Sequence, residues 1–440
     1  MSRLSHSHRG VSSVADQAEF DRYVARHFRW NFTANVIDIA FYMLGLSFVS
    51  WATVLPLLVS RLTTSKLAIG MVPAIYSLGF LLPQLLTANY TERLRLKKRF
   101  VVIVSGPGER GPFLLIGIAV WALAIPHPTL TLIVIYVLLT LAMACAGTAN
   151  PAWTDLIAKV IPVSRRGRWA GVAFSLGAIL GLGGAVAAGK LLGSFPYSMN
   201  FGLCFFAAGA AFFVSWVGLA MNREPAGLVV KPHLTLRAYL RLLPAVLRRD
   251  LNYVRFVISR SVAALGGMAG GFFMVYGAER FGFGGGEVGL LTAILTGSQA
   301  VTNPLWGMLA DRVGHKAVLC GAAFSMVLAS AAALVAGAPA GMYVAFALMG
   351  LSYAADSVSG QTIVMEFAGP QDRPTYVGLT NTLLAPCRTL GPIIGGLLAT
   401  WLGYRGMFPF ALFLAAAGGV MLVLWVREPR GLRQDALATA

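Results

Sequence analysis

The chain reads as an all-α integral membrane protein, with twelve transmembrane helices arranged as two pseudo-symmetric six-helix bundles. Three observations lead there. The first is composition: of 440 residues, 57% are hydrophobic and only 12% charged, with a mean hydropathy of +0.72. A soluble domain carries about 25% charged residues and a disordered chain is polar, so neither class fits. The second is the set of apolar runs. About 20 apolar residues cross a hydrocarbon core, and twelve runs approach that length: 36–59, 68–90, 101–125, 129–150, 169–192, 199–221, 254–278, 288–310, 317–336, 341–365, 376–401 and 406–426. The third is an internal repeat. Glu92-Arg93 aligns with Asp311-Arg312 at an offset of 219, which also pairs Arg61 with Arg280 and Gly70 with Gly289. An offset of 207 pairs Arg166 with Arg373 and Gly171 with Gly378, and one of 204 pairs Arg223-Glu224-Pro225 with Arg427-Glu428-Pro429. The repeat divides the chain into a tail (1–35), a first bundle (36–221), a linker (222–253), a second bundle (254–426) and a final tail (427–440).

The net charge of +18 would suit nucleic acid, but its distribution does not. With both termini on one face, that face holds 27 of the 35 lysines and arginines, while the opposite loops hold only Arg61, Lys66, Lys190, Arg280 and Arg405. Such asymmetry is the positive-inside pattern, placing both termini in the cytoplasm and the chain in the plasma (cytoplasmic) membrane. The basic excess then meets anionic headgroups of the lipid bilayer, and a nucleic-acid partner is excluded. The first 30 residues are polar and basic without an apolar core, so no secretory signal is expected. Cys145, Cys204, Cys320 and Cys387 each lie in a different run, so neither disulfides nor a metal site is expected. There is no phosphate-binding loop and no Ser-His-Asp arrangement. The chain therefore reads as neither an enzyme nor an ATP-driven pump, and no cofactor is implied.

Taken in order, Asp16 to Trp30 alternates charged and apolar residues and suits a short interfacial helix leading into the first run. Asn31, Asn35, Asp38, Tyr42 and Gly45 follow at helical spacing, which puts them on one face. A polar stripe facing lipid would be costly, so it should face the bundle interior. Asp38 then either joins a transport pathway or pairs with the hairpins at the membrane face. In the third run, Ser105-Gly106-Pro107-Gly108-Glu109-Arg110-Gly111-Pro112 interrupts the apolar sequence. Phe113 to Ile125 alone is too short to cross, so the span must include Glu109 and Arg110. The surrounding Pro and Gly predict a bent or interrupted helix, a common mark of transporter binding sites. Glu109 and Arg110 are either such a site or a self-neutralising pair that shapes the bend. The twelve extra residues implied by the drop in offset from 219 to 207 fit extra length around Glu109. In the fifth run, Gly177, Gly181, Gly184 and Gly189 allow close helix approach. The linker reads as partly helical along the membrane surface between Leu234 and Arg249.

In the second half the intramembrane polar residues are Arg260, Gln299, Asn303, Asp356, Asn381 and Arg388. Arg388 lies about midway along its run, too deep to reach the surface easily, and needs a partner: Asp356 or Glu109. Gln299 and Asn303, four apart, suit either a pathway or hydrogen bonds between helices.

Between the eighth and ninth runs lies Gly307-Met308-Leu309-Ala310-Asp311-Arg312-Val313-Gly314-His315-Lys316. Gly307 and Gly314 would let the backbone turn and approach a neighbouring helix, and Asp311 would accept hydrogen bonds from an exposed helix N-terminus. The pattern Gly-x-Leu-Ala-Asp-Arg-x-Gly-x-Lys resembles the cytoplasmic hairpin motif of the major facilitator superfamily. Thr91 to Arg99 resembles a degraded copy, with Glu92 for the Asp, Arg93 kept and the second Gly missing. Pro162 to Arg168 resembles the family's loop between helices 4 and 5. Two features depart from the family: Tyr136 to Ala149 lacks the helix-4 Arg associated with proton coupling, and Ala185 stands where its antiporter motif has Pro. Gly391-Pro392-Ile393-Ile394-Gly395-Gly396 has that antiporter form, but in the eleventh run.

The resemblance implies a monomeric secondary active transporter moving a small-molecule substrate by alternating access, coupled to protons. A lining of aromatics and paired charges suits an exporter of amphipathic compounds. Arg110, Arg260 and Arg388 converging on one cavity would suit uptake or exchange of an organic anion. A non-transporting sensor on the same fold is the remaining alternative.

Overall fold

The computed structural model describes residues 14–91, 94–226, 247–248, 250–368 and 373–430. Glu92 and Arg93 of the first hairpin, and the helix expected across the linker from Leu234 to Arg249, lie outside the described residues apart from 247 and 248.

The first bundle contains α1 (Val14–Phe48), α2 (Val54–Leu62), α3 (Lys66–Thr91), α4 (Lys98–Ile103), a π-helical segment (Val104–Arg110), α5 (Gly111–Leu123), α6 (Pro128–Val160), α7 (Val163–Ser194) and α8 (Met199–Ala220). The second contains α9 (Leu251–Gly266), a 3-10 turn (Gly267–Ala269), α10 (Phe273–Phe281), α11 (Gly285–Val313), α12 (His315–Val335), α13 (Pro339–Ser359), α14 (Thr362–Phe367) and α15 (Arg373–Trp425). Among the described residues, eight helical stretches are long and apolar enough to cross a bilayer. One of them, Tyr376–Trp425, is two spans meeting at Gly403, where φ is 71°. The more polar rods α1–α2, α11 and α13 complete the twelve.

Three elements differ from the sequence reading. The expected interfacial helix and the first run form one helix, α1, with no break between Asp16 and Asp38. Asn31 and Asn35, poor helix formers, are taken up by the end of α8: Asn31 exchanges hydrogen bonds with the Arg223 backbone at 3.0 and 2.8 Å, and Asn35 with the Asn222 side chain. The first run itself is interrupted before Val54, where the backbone turns through Ser50 to Thr53. The run 341–365 ends at Ser359 and restarts as α14, with Gly360 and Gln361 between.

Around Glu109 the helix is widened, not broken. Pro107 has no amide to donate and its ring displaces the preceding turn. The Gly111 amide therefore reaches back five residues to the Gly106 carbonyl, the signature of a π-bulge. The α4–α5 span runs 26 residues against 21 in its repeat partner α12, so part of the first half's excess length is here.

The halves meet at one face and part at the other. At the face of the α2–α3 turn, Phe48 to Val72 shares a continuous core with Met268 to Tyr276 and Ala399 to Ala415. Thr53 pairs with Thr292 at 2.6 Å and Lys66 Nζ donates to the Ala399 carbonyl at 3.1 Å. There α7 crosses α11 at Gly189 and Gly289, where a Cβ on Gly289 would stand 2.6 Å from the Gly189 Cα. At the terminal face each half has its own core, Val36, Leu156 and Leu219 in the first and Tyr253, Leu319 and Leu422 in the second. On the terminal ends of α7 and α11, Phe174 is exposed and lines a cavity, and a Cβ on Gly171 or Gly307 would meet open space. The space between the halves therefore opens toward the termini.

Candidate functional site: a charged cavity between the halves

The π-bulge places Arg110 at the centre of the first bundle. Its Nη2 donates to Asp38 Oδ1 at 3.1 Å and to Ser215 Oγ at 3.0 Å. Its Nη1 donates to Glu109 Oε2 at 3.2 Å and to the Ser105 carbonyl at 3.1 Å. Ser215 donates to Asp38 at 2.7 Å, and Trp153 Nε1 donates to its other oxygen at 3.2 Å. Tyr42 hydrogen-bonds Glu109, and its ring lies 5.1 Å from the guanidinium. Asp38, Glu109 and Arg110 are all buried, yet all three line a cavity of about 290 Å³. The first cluster is thus two carboxylates against one guanidinium.

The second bundle carries the inverse arrangement. Asp356, on α13, accepts from Arg260 of α9 through one oxygen and from Arg388 of α15 through the other, the latter at 3.1 Å. Arg260 is nearly buried, whereas the Arg388 side chain keeps 35% of its surface. This cluster lines a second cavity of about 460 Å³ with Gln299, Trp51 and Tyr353. Asn381 faces a third space, of about 360 Å³, beside Asp356 and Arg388. Tyr76 borders the first two cavities at once. Trp51 stacks on Tyr76 at 5.8 Å and meets Tyr353 of the other half at 5.4 Å, forming an aromatic bridge between bundles.

The Major Facilitator Superfamily profile matches residues 256–439, the second half. The whole architecture superposes on a D-xylose–proton symporter (TM-score 0.65, 14% identity, 92% of this chain and 99% of that one) and on the nucleoside transporter NupG (TM-score 0.65, 14% identity, 89% and 98%). The second half thus resembles the major facilitator superfamily, and the chain shares the fold of these two transporters. Among its curated relatives are a multi-drug resistance efflux pump PmrA homolog of Lactococcus lactis subsp. lactis (strain IL1403), 26% identical over 155 residues, and citrate exporter 1 of Aspergillus niger, 29% identical over 137 residues. These matches span 34% and 31% of this chain, and only 38% and 25% of those relatives.

The structure sorts the residues singled out by sequence. Asp38, Glu109 and Arg110 come together in one half; Arg260, Gln299, Asp356 and Arg388 come together in the other. Arg388 takes Asp356 as partner and not Glu109, which is bound by Arg110. Arg110, Arg260 and Arg388 therefore do not converge on one cavity, because each is drawn to the acids of its own bundle. Asn303 is half-buried, and its Oδ1 has no hydrogen-bond partner among the described residues.

The hairpin needs two corrections. Gly307 neither turns nor approaches a helix: it lies inside α11 with open space where a Cβ would stand. Asp311 is exposed and does not take up the following helix N-terminus. That role belongs to Glu428, which accepts the Lys316 amide at 3.1 Å. Arg312 is likewise exposed, and Lys316 Nζ donates to the Val423 carbonyl at 2.9 Å. Glu224 does the same in the first half, accepting the Lys97 and Lys98 amides at 2.8–2.9 Å. Sequence reasoning missed these capping acids, although the Arg-Glu-Pro repeat already paired them. It also missed Ser215, Trp153 and Tyr76, which no local pattern marks.

Proposed function

We propose that the protein is a secondary active transporter that moves a small solute by alternating access, couples it to protons and exports amphipathic compounds. The observation that carries this reading is the cavity: buried, unbalanced charges line a space sealed at one face by the meeting of the halves and open at the other. A rigid scaffold would have no reason to keep ionised groups in the membrane interior, where they are costly. The aromatic bridge of Trp51, Tyr76 and Tyr353 supplies apolar surface beside those charges, which suits an amphipathic solute. The curated relatives named as an efflux pump and a citrate exporter support outward movement.

In this scheme Asp38, Glu109, Arg110, Arg260, Gln299, Asn303, Asp356, Asn381 and Arg388 form the substrate and proton pathway. The halves rock about it: the Gly189–Gly289 crossing parts as the hairpins carrying Glu92, Arg93, Asp311 and Arg312 close the terminal face. The chain acts as a monomer in the plasma membrane, with the linker and both termini in the cytoplasm, as the basic residues of that face favour. Metabolite profiling of a deletion strain against an overexpressing strain tests the reading. An amphipathic compound should accumulate inside the deletion strain and outside the overexpressing one. Identical profiles would reject transport, and the opposite pattern would reverse its direction.

A further inference from the structure

The two charged clusters carry opposite residual charge. Asp38 and Glu109 face one guanidinium, Arg110; Arg260 and Arg388 face one carboxylate, Asp356. Among the described residues no ion pair joins one cluster to the other. With every member ionised, each keeps an uncompensated charge next to a cavity, one negative and one positive, and at the buried first cluster such a charge is unfavourable. The two cavities adjoin at Tyr76.

Given the transport reading above, we propose that this composite cavity selects a dipolar solute. Its cationic group lies toward Asp38 and Glu109, its anionic group toward Arg388, and an apolar or aromatic body crosses Tyr76. A singly charged anion would satisfy the second cluster and be repelled by the first; a singly charged cation would meet the reverse. Only a solute with both charges, held apart by a body that spans the tyrosine, answers both residual charges. Arg388 is the group placed to engage it, being the less buried of the two guanidiniums on Asp356.

Counterflow in proteoliposomes tests this without any ion gradient. Liposomes holding an extract of the expressing cells are diluted into the same extract labelled with a stable isotope, and exchanged compounds are sorted by mass spectrometry. The exchanged set should carry both a cationic and an anionic group. Arg388→Gln and Glu109→Gln should each lower that exchange at least tenfold. Both variants leave a balanced pair behind, Arg260 with Asp356 or Arg110 with Asp38, so folding should survive; size-exclusion chromatography verifies it. Arg388→Lys, which keeps the charge, should retain more exchange than Arg388→Gln. Exchange confined to neutral or singly charged compounds would overturn the dipolar class while leaving transport intact. No exchange above protein-free liposomes would overturn transport and the solute class together.

Discussion

The carboxylate of Glu428 holds the backbone amide of Lys316 at 3.1 Å, closing the second hairpin from the far end of the chain. The contact needs Gly314, whose φ is 101° and where a Cβ would stand 2.5 Å from that carboxylate. Gly307, seven residues earlier in the same motif, sits in helix with open space around it. The two glycines should respond oppositely to the same substitution. Gly314→Ala should destabilise by roughly 1–3 kcal/mol, because that backbone region belongs to glycine. Gly307→Ala should be neutral or stabilise by up to about 1 kcal/mol, since alanine is the better helix former. Thermal unfolding of the two purified variants checks this; equal shifts would refute the role given to Gly314.

Burial holds the Glu428 carboxyl above the ordinary glutamate range, with Glu366 adding to the effect and the Lys316 amide opposing it. Folding therefore favours the protonated acid. Its contribution is complete below the ordinary value of 4.5 and is lost as pH rises through the elevated folded value. Glu428→Gln removes that titration. The melting temperature of the variant should be flatter than wild type as pH rises from 4.5 through the folded value. Parallel curves would assign the pH dependence to other groups.

Much of this site could be read before the fold was known, for identifiable reasons. Asp38 was legible because polar residues at helical spacing in an apolar run must find an interior. Glu109 and Arg110 were legible because Phe113 to Ile125 is too short to span alone. The widening of the helix was not, since Pro107 disrupts a helix equally well by breaking or by bulging it. The hydrogen bonds of Arg110 to Asp38 and Ser215 belong to the bulged form, and they come from α1 and α8. The partner of Arg388 was open between two acids until the halves were placed. The repeat paired Glu224 with Glu428, but their capping role was not legible, because a cap supplied from over a hundred residues away leaves no local signature.

The Gly189–Gly289 crossing seals the face opposite the termini, so bulk there should hold it open. In Gly289→Val the new side chain would meet the Gly189 Cα and the Ala185 carbonyl, both backbone atoms that cannot rotate away. The helices must separate, and Thr53, now paired with Thr292, should become reachable from that face. A Thr53→Cys reporter should react faster with an impermeant maleimide in the Gly289→Val background, and transport should fall. Unchanged labelling would show that the crossing does not control closure.

Glu109 is the acid whose replacement tests proton coupling. It sits beside Arg110 and under the Tyr42 hydroxyl, and it lines the cavity, so a proton and a solute can both reach it. Asp38 is more fully engaged, with Arg110, Ser215 and Trp153 all donating to it. Movement of Arg110 during rocking of the halves would uncover Glu109 more readily than Asp38, which retains Ser215 and Trp153. Removing Arg110 itself would leave two unpaired buried acids and cost about 3–5 kcal/mol, so loss of function there would be ambiguous. Glu109→Gln keeps shape and hydrogen bonding but cannot titrate. The decisive quantity is the ratio of transport with an imposed pH gradient to transport without one, measured in proteoliposomes. Wild type should show a ratio well above one, and Glu109→Gln a ratio of about one at whatever exchange rate remains. A variant ratio equal to wild type would make Glu109 structural and move the coupling acid to Asp38 or Asp356.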